Sequence, residues 1–148
     1  GGYMAKVSAS VVISKPIQEV FKYTASPVNG PAFIPNLNEN TNIQPEQPSL
    51  GQTFDWRFNM AGVYLKGKAE VIEYEAPHKV TIKTTGDSNT TWIYTFQEKN
   101  GGTRVSAEVD YDIIESALQK IANRILIDSL NQRTAEQMLE NLKTILES

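Results

Sequence analysis

The sequence contains no cysteine and only one histidine, His78, among its 148 residues. Without cysteine the chain can form no disulfide, thiolate nucleophile or thiolate metal site. A single histidine also excludes a metal site built from several imidazoles, and no cofactor is expected. His78 stands in a Pro-His-Lys turn, where we expect a solvent-exposed side chain rather than an acid or base.

Long hydrophobic runs are also missing. No stretch approaches the ~20 apolar residues that span a bilayer, and no signal-peptide pattern opens the chain. The net charge is -3, and lysine and arginine are scattered rather than clustered, which is unlike a nucleic-acid-binding surface. We therefore expect a cytoplasmic protein that neither inserts stably into a membrane nor binds nucleic acid. The sequence does not indicate its oligomeric state.

The composition, 40% hydrophobic and 21% charged, is typical of one globular domain with a real core. We place this domain at residues 4–148. Gly1, Gly2 and Tyr3 precede Met4 and are expected to be a remnant of expression that lies outside the domain.

The N-terminal part of the chain predicts a strand followed by short helices. Apolar and polar residues alternate from Lys6 to Ser14, which indicates a strand. Ser14 is then expected to cap a helix that has Pro16 in its first turn. A short helical turn around Ala32–Ile34 and an irregular strand over Leu37–Ile43 complete this part.

From Thr53 to Tyr111 the alternation is stronger and predicts a series of antiparallel strands joined by hairpins. The adjacent Val71 and Ile72 break the alternation and indicate a β-bulge, and Gly67 in mid-strand fits sharp curvature. One face carries a row of aromatic side chains: Trp56, Phe58, Trp92, Tyr94, Phe96 and Tyr111. Alternation alone leaves open whether these residues fill a core or line a cavity.

The C-terminal run from Glu115 to Ser148 contains neither glycine nor proline and predicts one long helix. Its apolar residues form two stripes whose phase changes near Asp128. Either the helix bends and Asp128, Ser129 and Gln132 stay in water, or one or two of them, chiefly Gln132, reach a cavity and bind a ligand.

Several short motifs, in this order, resemble the START-like helix-grip superfamily and in particular its polyketide cyclase/dehydrase and lipid-transport group. They are Ile13-Ser14-Lys15-Pro16, Val20-Phe21, Gly51-Gln52-Thr53-Phe54, Glu70 to Pro77, and Gly102-Thr103-Arg104-Val105. The resemblance implies an α+β fold, in which a strongly curved antiparallel sheet of about six or seven strands wraps around the long C-terminal helix. One or two short helices follow the first strand. The chain departs from many relatives at Ser26 and at Phe33-Ile34-Pro35, which border the cavity entrance in that family.

The resemblance also implies a hydrophobic cavity between sheet and helix. The residues expected to line it and to bind a ligand are Trp56, Phe58, Leu65, Ile82, Trp92, Tyr94, Val109, Tyr111, Leu118, Ile121, Ile125 and Gln132. The leading hypothesis is a non-catalytic carrier of a small hydrophobic or amphipathic molecule, either lipid-like or aromatic. An alternative is a polyketide cyclase or dehydratase, with Tyr94 or Tyr111 as weak catalytic candidates. A third is an interaction module, which predicts an exposed apolar patch near Phe33 and Ile34.

Overall fold

The fold is a seven-stranded antiparallel sheet that curves around a C-terminal helix, as seen in a computed structural model that describes residues 2–60, 62–114 and 124–148. Side chains are described for residues 6–59, 62–112 and 132–148. The strands are β1 (Gly2–Ile13), β2 (Leu37–Gln44), β3 (Thr53–Met60), β4 (Val63–Glu75), β5 (Lys79–Gly86), β6 (Ser88–Lys99) and β7 (Gly102–Ile114). The helices are α1 (Ile17–Thr24), a 3-10 turn (Pro27–Asn29), α2 (Gly30–Phe33) and α3 (Arg124–Glu147). The predicted α+β helix-grip architecture is confirmed.

The strands lie in the order β1-β7-β6-β5-β4-β3-β2, so every neighbour except β1 and β7 is also a neighbour in sequence. The β1 strand begins earlier than predicted, because Gly2 and Tyr3 pair with Ile114 and Ile113 of β7. Residues 2 and 3 are therefore part of the sheet rather than outside the fold.

The predicted bulge in β4 is confirmed. The register between β4 and β5 shifts between Val71 and Glu73, so Ile72 is the extra residue. A bulge bends its strand and increases the local twist, which curves the sheet toward the helices. Val71 is fully buried at this point, whereas Ile72 is exposed.

The α1 helix follows β1 and buries Ile17, Val20 and Phe21 on one face, at the predicted helical spacing. The predicted cap by Ser14 is wrong, because Pro16 occupies the N-cap position and no side chain caps this helix. Proline has no backbone N–H and its φ angle suits a helix start, so the helix can begin there without a capping side chain.

Ser14 instead contacts the end of α3. Its backbone N–H donates to Glu147 Oε2 at 2.8 Å, and Lys143 Nζ donates to the same carboxylate at 2.7 Å and to Val12 O at 2.7 Å. The Lys143 ammonium and the Ser14 N–H lower the pKa of the Glu147 carboxyl. These contacts, which we call the C-terminal latch (Val12, Ser14, Lys143 and Glu147), attach the last turn of α3 to the end of β1.

The described part of the long helix runs from Arg124 to Glu147, or about 36 Å at 1.5 Å per residue. It packs against β1, β7 and α2. Near its C-terminal end it buries residues of both predicted stripes: Met138, Leu139, Leu142 and Leu146. No helix among the described residues is long and apolar enough to cross a membrane.

Buried residues form two hydrophobic clusters on the concave face of the sheet. The first joins α1, α2 and the end of α3 to β5, β6 and β7, and includes Phe21, Phe96 and Leu142. The second lies between β3, β4 and β7 and includes Trp56. Ile82 and Trp92 are only partly buried and pack against both clusters.

Candidate functional site

A cavity of about 120 Å³ lies on the concave face of the sheet, where the two hydrophobic clusters meet. Residues of all seven strands form one wall, and α1, α2, the 3-10 turn and α3 form the other. Its volume is comparable to that of the ~150 Å³ engineered cavity that holds benzene, so it is about the size of one small ring. Ile82 and Trp92 line it, which explains why they are only partly buried.

The Trp56 indole forms part of the apolar wall and depends on a glycine in the next strand. Trp56 of β3 pairs with Gly67 of β4, and a Cβ atom added to Gly67 would lie 2.7 Å from Trp56 Cζ2. The indole therefore lies directly over the glycine, and its Nε1 donates to Lys68 O at 3.1 Å. Gly67 therefore allows the ring to approach the strand closely, in addition to the curvature predicted at this position.

Several polar side chains of β5 and β6 lie in the cavity wall beside Trp92. Trp92 Nε1 donates to Thr90 Oγ1 at 2.8 Å, and the Thr90 N–H donates to Thr84 Oγ1 at 3.1 Å. The two threonine hydroxyls bond to each other, and Thr84 Oγ1 can also donate to Ser88 O at 3.4 Å. When Thr84 donates to Thr90, the Thr90 hydroxyl hydrogen remains available for a carbonyl oxygen in the cavity.

Tyr94 places a phenol in the cavity wall, opposite α3. Its hydroxyl donates to Met138 Sδ at 3.6 Å, and the side chain is 2% exposed. Burial raises the pKa of this hydroxyl well above its ordinary value. Tyr94 therefore stays protonated at neutral pH, and because sulfur is a weak acceptor, a ligand oxygen could readily replace it.

Asn40 of β2 is the one amide among the described lining residues. Its Nδ2 donates to Pro27 O at 2.8 Å, which joins β2 to the 3-10 turn. Its Oδ1 is buried and has no hydrogen-bond partner in the part of the chain that the structure describes.

The described residues that line the cavity include no charged side chain. The polar atoms on its wall are hydroxyls, an amide and an indole N–H, set among apolar and aromatic side chains. This composition is typical of a site for a neutral, largely apolar molecule that is oriented by a few hydrogen bonds.

A family model described as polyketide cyclase / dehydrase and lipid transport matches residues 4–147. The chain belongs to this family. A search of curated proteins gives no match.

Solved structures with the same fold include proteins of different origin. TTHA0849 from Thermus thermophilus is 16% identical, has a TM-score of 0.81, and the alignment covers 97% of each chain. The di-domain ARO/CYC StfQ from the steffimycin biosynthetic pathway is 15% identical with a TM-score of 0.75, over 97% of this chain and 51% of StfQ. Major latex-like protein 151 from Panax ginseng is 15% identical with a TM-score of 0.69, over 99% of this chain and 100% of that protein. At such identities these similarities establish the fold alone.

The structure brings together the predicted site residues of the sheet. Those that line the cavity are Trp56, Phe58, Leu65, Ile82, Trp92, Tyr94, Val109 and Tyr111. Phe96 of the aromatic row is not among the lining residues and packs edge-on against Phe21 in the core.

The predicted site residues of the C-terminal helix either lie outside the described residues or are absent from the described cavity lining. Leu118 and Ile121 lie outside the described residues, as do the side chains of Ile125, Asp128 and Ser129. Gln132 is absent from the described cavity lining. Its Nε2 donates to Ser8 O at 3.2 Å and to Glu136 Oε1 at 2.9 Å, so this amide joins α3 to β1.

Two further predictions concern residues outside the cavity wall or at its edge. His78 is exposed in the turn between β4 and β5, as expected. Phe33 is 2% exposed and lines the cavity with Ile34, so these two residues do not form the exposed patch that the interaction-module hypothesis requires.

Sequence reasoning did not identify several lining residues. Asn40, Thr84, Ser88 and Thr90 are polar residues on strands, and the period-two pattern marks which face they occupy but not which polar atoms lack a partner. That pattern places Thr84 on the inner face of the sheet, and this position is the one feature of the sequence that indicates a lining residue here. Residues of the 3-10 turn and α2 follow no regular period, so only the folded chain shows that they close the cavity.

Proposed function

We propose that this protein binds a small, neutral hydrophobic or amphipathic molecule, either lipid-like or aromatic, in the cavity between the sheet and α3. The observation that carries the proposal is the cavity wall itself, which is apolar and aromatic with a few uncharged polar atoms. A ligand would replace contacts with water by contacts with this wall, and each Å² of apolar surface removed from water is worth about 25 cal/mol. The family name, which includes lipid transport, supports this proposal.

Both tryptophans of the protein, Trp56 and Trp92, line the cavity, so their fluorescence reports directly on binding. We expect saturable quenching and a rise in Tm with at least one member of a panel of fatty acids, sterols and aromatic polyketides. A ligand present at 100 times its Kd would stabilise the protein by about 2.7 kcal/mol. Uncharged members should bind more tightly than carboxylates, because no described lining residue offers a positive charge.

A matched pair of variants separates cavity binding from surface binding. Ile82→Phe adds volume inside the cavity, whereas Ile72→Phe makes the same change on the exposed residue of the β4 bulge. We expect Ile82→Phe to weaken ligand-induced stabilisation at least tenfold and Ile72→Phe to leave it unchanged. Equal binding by both variants, or no binding of the panel by the parent protein, would contradict the proposal.

A second candidate function is a cyclase or dehydratase that acts on a polyketide-like substrate. It is favoured by Tyr94, which places a protonated phenol in the cavity with a sulfur as its acceptor among the described residues. Such a hydroxyl could donate to a substrate carbonyl and stabilise the enolate oxygen that develops there, while the cavity holds the chain in a folded shape. The similarity in fold to an ARO/CYC protein supports testing this function.

Tyrosine-to-phenylalanine variants separate the two functions. If the protein is an enzyme, Tyr94→Phe or Tyr111→Phe should abolish product formation, whereas Tyr64→Phe should not, because Tyr64 is 75% exposed on β4. If the protein is a carrier, all three variants should bind ligand with nearly the affinity of the parent and no product should form with any of them.

A further inference from the structure

We propose that the Thr134 hydroxyl of α3 forms a hydrogen bond with an uncharged oxygen of the bound molecule. This bond orients a ligand of about one ring, with its apolar part on the sheet and its oxygen at the helix. The inference rests on the proposed binding function and assigns a specificity-determining residue to it.

Thr134 belongs to the side of α3 that faces the cavity. The described residues through which this helix lines the cavity are Thr134, Ala135 and Met138, whose spacing places them on one side of a helix. Neither the alanine nor the methionine side chain carries an O–H or N–H group. Gln132, for which the sequence predicts a ligand contact, bonds to Ser8 O instead. Among the described residues of α3, Thr134 therefore supplies the hydroxyl of the cavity wall.

The Thr134 hydroxyl is without a partner and remains accessible. A threonine in a helix often donates to the carbonyl oxygen one turn earlier, as Thr24 Oγ1 does to Val20 O at 2.8 Å. Thr134 forms no such bond and no hydrogen bond to any other described group. Three side-chain oxygens of the described residues are buried without a partner, on Asn40, Gln52 and Asp112. The oxygen of Thr134 is not one of them, and the residue is only partly buried, so another molecule can reach this oxygen.

The side chain of Thr134 can present its hydroxyl to the cavity without breaking a bond. Rotation about χ1 exchanges the hydroxyl and methyl groups, and accessible side chains make such rotations within nanoseconds. A threonine hydroxyl can donate one hydrogen bond and accept two. It therefore suits the oxygen of an alcohol or of a carbonyl group, whereas a hydrocarbon gains nothing from it.

Polar groups on the sheet side of the cavity already have partners. The indole N–H groups of Trp56 and Trp92 and the Tyr94 hydroxyl each have an acceptor. The Thr90 hydroxyl is free to donate in only one of the two arrangements of its bond with Thr84. A ligand oxygen gains less by replacing such a partner than by bonding to a group that has none. We therefore expect the ligand oxygen at Thr134 and the apolar part of the ligand against the tryptophans.

The test compares benzyl alcohol with ethylbenzene by isothermal titration calorimetry with the full chain. The two compounds have nearly the same shape, and a methyl group of ethylbenzene stands where benzyl alcohol has its hydroxyl. Thr134→Val removes the side-chain hydroxyl and keeps the shape of the residue. We expect this variant to bind benzyl alcohol about fivefold more weakly than the parent protein does, as the loss of one hydrogen bond would give. Its affinity for ethylbenzene should be unchanged.

Thr24→Val is the matched control. Thr24 also lines the cavity, but its side chain is buried and its hydroxyl hydrogen already bonds to Val20 O. Whatever this variant does to the two affinities, their ratio should stay as it is in the parent protein.

The outcomes distinguish the inference from the function on which it rests. If Thr134→Val changes both affinities by the same factor or changes neither, cavity binding stands and the role of Thr134 is overturned. If neither compound binds the parent protein while a member of the panel does, the inference is overturned as well, and if nothing binds, both proposals fail.

The parent protein gives an independent measurement that does not depend on the folding of a variant. With benzyl alcohol bound, we expect intermolecular NOEs from its CH₂ group to the Thr134 methyl group and from its ring to the Trp92 indole. The reverse pattern, with the ring at Thr134 and the CH₂ group at Trp92, would overturn the proposed orientation.

Discussion

Replacing Gly67 by alanine should displace the Trp56 indole and distort the cavity wall. A Cβ atom at Gly67 would lie 2.7 and 2.9 Å from two atoms of the indole, and it would also collide with the Thr85 carbonyl oxygen of β5. The ring and the neighbouring strand must both move. The hydrogen bond from Trp56 Nε1 to Lys68 O, 3.1 Å long, would then weaken or break.

The size of the effect follows from these contacts. Overpacking a well-packed interior costs about 1–3 kcal/mol, and a lost hydrogen bond costs about 1 kcal/mol. Alanine recovers about 0.5–1 kcal/mol relative to glycine within a strand, because it loses less backbone freedom on folding. We therefore expect Gly67→Ala to lower the free energy of unfolding by about 1–3.5 kcal/mol.

Urea denaturation measures this change, with fluorescence followed in a Trp92→Phe background so that Trp56 alone emits. Gly101→Ala is the control: its Cβ atom would meet nothing within 4 Å, and only its φ of +82° penalises alanine, by about 1–2 kcal/mol. The native emission maximum should shift in Gly67→Ala and not in Gly101→Ala. An unshifted maximum in Gly67→Ala, together with a loss of stability no larger than that of the control, would refute the packing of Trp56 on Gly67.

Two other predictions concern the latch and the cavity wall. The pKa of Glu147 is lowered in the folded protein, so its carboxylate contributes fully to stability above its ordinary pKa of 4.5. This contribution to stability is lost as the pH falls through the folded-state pKa. Glu147→Gln should therefore lower Tm more at pH 7 than at pH 3, and an equal difference at both pH values would exclude the ion pair with Lys143 as the cause. Thr90→Val should remove the acceptor of Trp92 Nε1 and cost about 1–3 kcal/mol in urea denaturation. Thr91→Val on the opposite face should cost less than half of that, and equal losses would argue against the Trp92 bond.

Much of the sheet could be predicted because alternation of apolar and polar residues has a direct structural meaning. Residues two positions apart on a strand must share a face, as Trp56 and Phe58 do, and likewise Trp92 and Tyr94. Both pairs line the same cavity. The break at Val71 predicted the bulge for the same reason. Pattern alone could not divide the aromatic row into cavity and core, however, because Phe96 follows the same period and its burial depends on Phe21 of α1.

The helix side of the site was harder to predict. Two apolar stripes indicated two packing faces, but residues of both stripes are buried together near the end of α3, where Met138 and Leu139 are neighbours. The buried residues recur at spacings of three and four and form one stripe about 100° wide, so a single face of the helix takes residues from both predicted stripes. The cap at α1 was wrong because Pro16, not Ser14, occupies the N-cap position. The backbone N–H of Ser14 instead donates to Glu147, 133 residues away, which no local pattern indicates.

The arrangement of polar atoms suggests how an uncharged cavity can still be selective. The Tyr94 hydroxyl is held by Met138 Sδ, which is a weak acceptor, so this hydroxyl can donate to a ligand oxygen instead. A ligand carbonyl that meets this hydroxyl gains a hydrogen bond, whereas a hydrocarbon of the same shape gains none. One such hydrogen bond is worth about 1 kcal/mol, which corresponds to roughly a fivefold difference in affinity. Discrimination of this size requires no charged residue, so the absence of charge among the described lining residues is compatible with a specific ligand.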